Sequence, residues 1–420
     1  MKMIKRWLVL MLILLSGCTQ TVREDLVSTN PILSDADEVR IMIASDLHYL
    51  TPQLYSQDNE TFMKMIRYSD GKMVHYAEEI VDSFINEVIE TNPEVLILSG
   101  DLTFNGERLS HEALAQKLKR VKDAGISVFV IPGNHDFSQY AAFDYHDEGT
   151  AYQRADNTSI NEFLNLYKDY GYSNYASMDQ TSLSYRVILN DSVQLLFIDV
   201  NGNEKENVIS DKTLTWIETQ LIEAQQANSQ VIVISHQNMV MHTQRFSNGF
   251  TIENNESLLN LFETYGVRLG FSGHLHIQDI ATQSGFYDVA SSSLSVLDHR
   301  YGILTIHKDT SLDYQTIPLT LDIPEDSTDF FNTISYWKGY EALEGYDFDK
   351  ETKDAMLEFV VSVNEHYFRG DLYAFSDLFK ASESYTRWTQ LKYNAFGTYI
   401  ESMLNQELQD ENTLILAPIR

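Results

Sequence analysis

Residues 126–136 read ISVFVIPGNHD, an apolar run followed by a glycine and by the polar residues Asn134, His135 and Asp136. The run Ile126–Ile131 has the length and the branched residues of a buried strand. Four more polar clusters follow apolar runs in the same way: Asp46-Leu47-His48, Gly100-Asp101, His236 and Gly273-His274-Leu275-His276. Ligands of open α/β sheets bind beyond the carboxyl ends of the strands. We therefore expect these clusters to meet at one edge of a sheet.

Short apolar runs alternate with longer amphipathic stretches from residue 38 to about residue 320, which is typical of βαβ units. The predicted strands are Val39–Ala44, Val95–Leu98, Ile126–Ile131, Val193–Val200, Val231–Ile234, Val267–Phe271, Tyr301–Lys308 and Leu312–Ile317. Apolar spacings of three and four residues predict helices over Val74–Ile89 and Leu109–Asp123. The sequence thus predicts an α/β domain over residues 38–320.

The character of the chain changes after residue 320, where Pro324 lies in a polar boundary segment. Helices are predicted over Lys350–Phe368, Leu372–Thr389 and Ala395–Leu408. Aromatic residues such as Trp337 and Trp388 need burial, so residues 321–420 are expected to form a small helical domain docked on the main one. Its acidic surface is expected to face solvent, with covering of the binding pocket as the alternative.

The N-terminal residues indicate export. Three basic residues precede the apolar run Trp7–Leu15, which at 9 residues is too short to span a bilayer but fits a signal peptide. Leu15-Ser16-Gly17-Cys18 resembles the lipobox of bacterial lipoproteins, which are cut before a lipid-modified cysteine. We expect a signal peptide (1–17), a tether (18–37) and a lipid anchor on Cys18, outside the cytoplasmic membrane or in the periplasm. An ordinary signal peptide is the alternative.

Composition excludes several classes of protein. Of 420 residues, 43% are hydrophobic, which is too many for a disordered chain. The 61 acidic and 30 basic residues give a net charge of −31, which disfavours binding to nucleic acid polymers. Cys18 is the only cysteine, so an intramolecular disulfide and a cysteine-based zinc site are excluded. The sequence gives no sign of a protein partner.

The polar clusters carry the ligands of a transition-metal site. Oxygen ligands come from Asp46, Asp101 and Asn134, and nitrogen ligands from His48, His236, His274 and His276. Such mixed ligands suit Zn, Mn or Fe rather than calcium. Seven ligands exceed the need of one ion, whereas one shared carboxylate gives four ligands to each of two ions. Two ions about 3.5–4 Å apart form a known phosphoester-cleaving arrangement.

These residues and their order resemble the calcineurin-like metallophosphoesterase family over residues 39–308. The resemblance implies a core of two stacked mixed β-sheets flanked by helices. It also implies a division of ligands: Asp46, His48 and His276 for one divalent ion, Asn134, His236 and His274 for the other, and Asp101 as the bridge. The implied nucleophile is a hydroxide that bridges the metals. His135 is expected to face the substrate phosphate as general acid or charge stabiliser, with Asp136 holding its ring.

The layout of a catalytic core followed by helices resembles cyclic nucleotide phosphodiesterase-like members of that family. We therefore expect a phosphodiesterase acting on cyclic nucleotides or similar small diesters. A phosphomonoesterase or nucleotidase is the alternative within enzymes. A surface binding protein with an idle metal site is the alternative from another class, although no ligand position is altered.

Three further features are ambiguous in the sequence. His242 is either near the substrate or a packing residue, and Asn105 either points to the phosphate or makes a loop hydrogen bond. The polar stretch 51–72 contains Asp70-Gly71-Lys72, which reads as an ordinary turn. A long insertion beside the site is equally consistent with a lid or a wall for the substrate.

Overall fold

The computed structural model describes residues 31–33, 37–138, 141–202, 205–244, 248–391 and 393–418. The predicted signal peptide, Cys18 and the tether as far as residue 30 lie outside the described residues. Among the described helices, none has both the length and the apolar character needed to cross a membrane.

All of the predicted strands are present. In the described residues the strands are β1 (Glu38–Ala44), β2 (Val95–Ser99), β3 (Ser127–Ile131), β4 (Phe143–Asp144), β5 (Gln153–Arg154), β6 (Ser177–Met178), β7 (Tyr185–Ile188), β8 (Val193–Ile198), β9 (Gln230–Ser235), β10 (Leu269–Ser272), β11 (Asp279–Gln283), β12 (Phe286–Ala290), β13 (Arg300–His307), β14 (Leu312–Pro318) and β15 (Thr413–Leu416). One mixed sheet has the order β15-β14-β13-β1-β2-β3, and a second has the order β11-β12-β10-β9-β8-β7-β6.

The helices of the described residues fall into a core group and a C-terminal group. The core group is α1 (Glu60–Arg67), α2 (Ala77–Thr91), α3 (Arg108–Asp123), α4 (Ile160–Leu166), α5 (Asp211–Gln226) and α6 (Asn255–Tyr265). The C-terminal group is α7 (Ser327–Ala342), α8 (Lys350–Arg369), α9 (Ser376–Lys380), α10 (Glu383–Gln390) and α11 (Ala395–Asn405). The predicted helix over 372–389 is interrupted, and α7 was not predicted.

The two sheets pack face to face. The hydroxyl of Tyr185 on β7 donates a hydrogen bond to the Val130 carbonyl on β3, at 2.8 Å across the interface. On β8, Leu195 and Phe197 belong to this inner core, whereas Leu196 and Ile198 belong to a second core beneath α5 and α6. A strand buried on both faces is a nearly continuous apolar run in the sequence, and burial on both faces therefore explains the apolar character of β8. The predicted two-sheet α/β fold with flanking helices is confirmed.

The C-terminal helices share a core of their own. Trp388 is fully buried there, and its indole donates to the Met356 carbonyl at 3.0 Å. The expectation that Trp337 is buried is wrong, because 55% of it is exposed on α7. The chain then returns to the first sheet, where β15 pairs antiparallel with β14. This strand was not predicted, and through it residues 413–416 join the core sheet rather than the helices.

Candidate metal centre

The loops after β1, β2, β3, β9 and β10 bring all seven predicted ligands into one cluster. In the first group, single ligand atoms of Asp46, His48, Asp101 and His276 lie within 4.8 Å of one another. The Nε2 atom of His48 is 3.1 Å from Nε2 of His276 and 3.7 Å from Oδ2 of Asp101. These atoms converge from three loops on one point, as the ligands of a single ion do.

The second group shares a carboxylate with the first. Ligand atoms of Asp101, His236 and His274 also lie within 4.8 Å of one another. The Nε2 atom of His236 is 3.3 Å from Oδ2 of Asp101 and 3.1 Å from Oδ1 of Asn134. The same Asp101 oxygen therefore faces His48 on one side and His236 on the other, which is the geometry of a bridging ligand.

A buried carboxylate oxygen without a hydrogen-bond partner supports a cation in the first group. Asp46 and His48 are fully buried. Within the described residues, Oδ1 of Asp46 has no hydrogen-bond partner. A buried carboxylate oxygen without a hydrogen bond costs free energy. The Nε2 atoms of His48 and His276 and this oxygen form a donor set that suits a divalent transition metal. The residues therefore fit the dimetal site typical of the predicted family.

The backbone around the cluster is unusual. Five of the seven proposed ligands have positive φ: Asp46 (53°), His48 (42°), Asp101 (47°), His274 (70°) and His276 (61°). Residues other than glycine rarely adopt positive φ, and backbone strain of this kind concentrates at functional sites. At Gly133 and Gly273, an added Cβ would collide with the Asp101 and Asp46 side chains respectively. The glycines of these motifs therefore leave room for the carboxylates.

Charges in the cluster keep its carboxylates ionised. Burial favours the neutral acid at Asp101, but the charges of His236 and His135 hold its pKa well below the usual range. Burial lowers the pKa of His236, yet Asp101 raises it overall to about 9. The pKa of His276 also rises to about 9 against burial, because the carboxylates of Asp46 and Asp70 lie 3.3 Å and 3.1 Å from its ring nitrogens. The cluster therefore stabilises positive charge, which divalent ions supply.

The structure corrects the role expected for Asp136. The carboxylate of Asp136 accepts hydrogen bonds from the backbone N–H groups of Gly133, Leu102 and Thr103, at 2.8–3.2 Å, so it ties two loops together. It does not hold the His135 ring. That ring is fixed at Nδ1 by the Phe104 carbonyl, at 2.8 Å.

Asn105 and His242 are also placed by the structure. Oδ1 of Asn105 lies 3.0 Å from Nδ1 of His135, so Asn105 makes a loop hydrogen bond. His242 is buried away from the cluster, with Nδ1 2.6 Å from Oδ2 of Asp279 and Nε2 3.4 Å from Oδ2 of Asp288. These two carboxylates raise its pKa to about 10 against burial. His242 is therefore a packing residue with two charged partners.

Sequence reasoning did not assign Asp70 and Lys72 to the site. Oδ2 of Asp70 is 3.1 Å from Nδ1 of His276 and 3.5 Å from Nζ of Lys72. A carboxylate that accepts from the distal nitrogen of a ligating histidine fixes its tautomer and orientation. The Asp-Gly-Lys turn beside the first motif was the only signal in the sequence.

The cluster opens into a cavity of about 630 Å³. Asp101, Asn134, His135, His274 and His276 form its floor, and Asp70 and Lys72 line one side. A further wall belongs to α7, α8 and α11 and includes five aromatic side chains, namely Phe331, Tyr367, Phe368, Phe396 and Tyr399. The C-terminal helices thus cover the pocket, which was the less favoured of the two expectations. The insertion 51–72 likewise contributes a wall.

Two family models match the chain. The model described as calcineurin-like phosphoesterase matches residues 39–278. The model described as the C-terminal domain of cyclic nucleotide phosphodiesterase matches residues 321–410. The first covers β2–β10, nearly all of β1 and all seven proposed ligands, and the second covers the helices that line the cavity.

Similar proteins are distant in sequence. A probable cyclic nucleotide phosphodiesterase of Vesicomyosocius okutanii subsp. Calyptogena okutanii is 24% identical over 211 residues, 50% of this chain and 72% of that protein. One of Ruthia magnifica subsp. Calyptogena magnifica is 24% identical over 223 residues, 53% of this chain and 77% of that protein. The crystal structure of a dimetal phosphatase from Danio rerio is 13% identical with a TM-score of 0.50, covering 68% of this chain and 98% of that chain. This last likeness concerns the fold.

The contact between Asp70 and His276 leads to a test of the metal site. Asp70→Asn removes the charged acceptor of the His276 ring. Metal affinity is expected to fall by about 10- to 100-fold, as for other outer partners of ligating histidines. Chelator competition with manganese would measure the change. Asp58→Asn, an exposed aspartate of the same insertion, is the control, and equal affinities in all three proteins would contradict the role of Asp70.

Proposed function

The chain belongs to the calcineurin-like phosphoesterase family, and from that premise we propose that it is a phosphodiesterase of cyclic nucleotides or similar small diesters. Membership of this family makes it a metal-dependent phosphoesterase. The proposal concerns the substrate that it cleaves. One observation carries the proposal: the aromatic wall beside the metal centre is built from the region that matches the C-terminal domain of cyclic nucleotide phosphodiesterase.

The cavity has two chemically distinct sides that suit such a substrate. Its volume of about 630 Å³ lies in the range of about 300–1,000 Å³ found for small-molecule sites. Aromatic faces such as Phe396 and Phe368 can stack on a nucleobase. Another part of the lining presents the ligand cluster and Lys72, which suit the phosphate. A cyclic nucleotide has this same division between an apolar ring and an anionic diester.

The proposed ligands divide as the family resemblance implies. One ion would be held by Asp46, His48 and His276, the other by Asn134, His236 and His274, and both by Asp101. Two such cations would polarise the phosphoryl group and make a nucleophile from water at neutral pH. We propose manganese, iron or zinc, because the ligands mix imidazole with carboxylate.

His135 is proposed to act on the leaving group. Its Nδ1 faces two oxygens, the Phe104 carbonyl and Oδ1 of Asn105, so the ring carries a hydrogen at Nδ1. Nε2 is then the atom free to act, and it lies 4.0 Å from Oδ2 of Asp101 at the cavity floor. A proton on Nε2 would be donated to the leaving oxygen of the diester.

The function is tested with residues 19–420, stripped of metal and reloaded with manganese. Hydrolysis of bis(p-nitrophenyl) phosphate is expected to exceed that of p-nitrophenyl phosphate and to stop with EDTA. Asp101→Asn is expected to lower kcat/KM by roughly 100-fold or more, because it weakens both metal sites. Cyclic nucleotides would then be assayed directly.

Each other outcome points elsewhere. A preference for the monoester would favour a phosphomonoesterase or nucleotidase. No hydrolysis of any of these substrates, with two metals confirmed by elemental analysis, would favour a surface binding protein with an idle site. Wild-type activity in Asp101→Asn would contradict a mechanism with two metals.

The aromatic wall gives a second prediction. Phe396→Leu keeps apolar volume but loses the ring face, so KM for 3′,5′-cyclic AMP is expected to rise about 5- to 10-fold, with kcat little changed. Tyr393→Leu removes a fully exposed ring next to the same helix and is the control. Steady-state kinetics on both variants would measure the difference, and equal KM values would argue against base stacking at Phe396.

We also propose that the protein is exported and anchored through lipid on Cys18. The basic residues, the short apolar run and the single cysteine at residue 18 support this. Cys18→Ala in the full chain is expected to abolish incorporation of labelled fatty acid and to move the protein out of the membrane fraction. Unlabelled wild-type protein in the soluble fraction would contradict the proposal.

A further inference from the structure

The segment Asp70-Gly71-Lys72, which we call the tip, reaches the metal centre from the insertion between β1 and α2. Oδ2 of Asp70 lies 3.1 Å from Nδ1 of the proposed ligand His276. Lys72 lines the same cavity as Asp101, Asn134 and His135. The tip therefore brings both an anion and a cation to the place where the phosphoester must bind.

Lys72 is an unusual lysine. Only 11% of its side chain is exposed, although buried lysines are rare unless they are paired. Its nearest described ionic partner is Oδ2 of Asp70, at 3.5 Å, which exceeds an ordinary hydrogen-bond length. In the part of the chain that the structure describes, its ammonium makes no hydrogen bond. Three N–H donors thus remain available in a buried position at the cavity wall.

Packing fixes the tip from two sides. Gly71 has a φ of 99°, and a Cβ at this residue would lie 2.7 Å from Cδ2 of Phe331 on α7. Immediately after the tip, the N–H of Met73 donates to the Ser295 carbonyl at 2.8 Å. The position of Lys72 is therefore set by the fold rather than by a free loop.

We propose that Lys72 is a substrate-binding residue whose ammonium donates to a non-bridging oxygen of the phosphoester, with Asp70 as the positioning residue. This inference rests on phosphoester binding at the metal centre, and not on a cyclic nucleotide as the substrate. Hydrogen bonds between ammonium and phosphate are charge-assisted and are stronger when water is excluded. Asp70 offsets the repulsion that a lysine would meet beside two divalent cations.

The test measures binding of inorganic phosphate to the manganese-loaded exported chain by titration calorimetry. Lys72→Met keeps the length of the side chain and removes its charge, and we expect phosphate to bind about 10- to 100-fold more weakly. Lys72→Arg should retain much of the affinity. Lys64→Met removes the same charge from an exposed position on α1 and should bind phosphate as the wild type does.

Metal content and thermal unfolding separate binding from folding. The proposal requires that Lys72→Met keeps two manganese ions per chain and the wild-type melting temperature while it loses phosphate affinity. Unchanged phosphate affinity in the folded, metal-loaded variant would overturn it. Loss of metal together with phosphate would overturn it too, because Lys72 would then support the centre rather than the substrate. Phosphate affinity, metal content and melting temperature are all measured without a cyclic nucleotide, so their outcome does not depend on the proposed substrate.

Discussion

The carboxylate of Asp101 is the constraint on which the rest of the site depends. One of its oxygens lies 3.7 Å from His48 and 3.3 Å from His236, so loops from both sheets must approach the same atom. This requires the backbone of Asp101 to turn at positive φ and requires Gly133 to have no side chain. The two-sheet fold meets this demand, because β1, β2 and β3 in one sheet and β9 and β10 in the other present their carboxyl ends at one edge.

The part of the site that could be predicted is the part encoded by local motifs. His48, Asn134 and His236 each follow a strand whose apolar run is evident in the sequence, and the carboxyl ends of such strands share an edge. The two-sheet core could be predicted for the same reason, since strands buried on both faces are continuous apolar runs. Local sequence and global fold agree at these positions.

The remaining features depend on contacts between segments far apart in the chain. Asp136 follows His135 directly, but its carboxylate is taken by backbone N–H groups of another loop, so adjacency in sequence gave the wrong partner. The tip is held at the centre by distant residues, since Phe331, about 260 residues later, packs against Gly71 and the Ser295 carbonyl accepts from the N–H of Met73. The short strand β15 exists because β14 offers it a free edge. Periodicity carries no information on such pairings.

Phe331 gives the C-terminal helices a physical link to the chemistry. Its ring lies against Gly71 and also lines the cavity. Asp70 precedes Gly71 and contacts His276, while Lys72 follows it and lines the cavity. Any shift of α7 relative to the core would therefore move a ligand's partner and a cavity cation together. The helices are in this sense part of the support of the proposed metal centre, because a movement of α7 would change the contact between Asp70 and the proposed ligand His276.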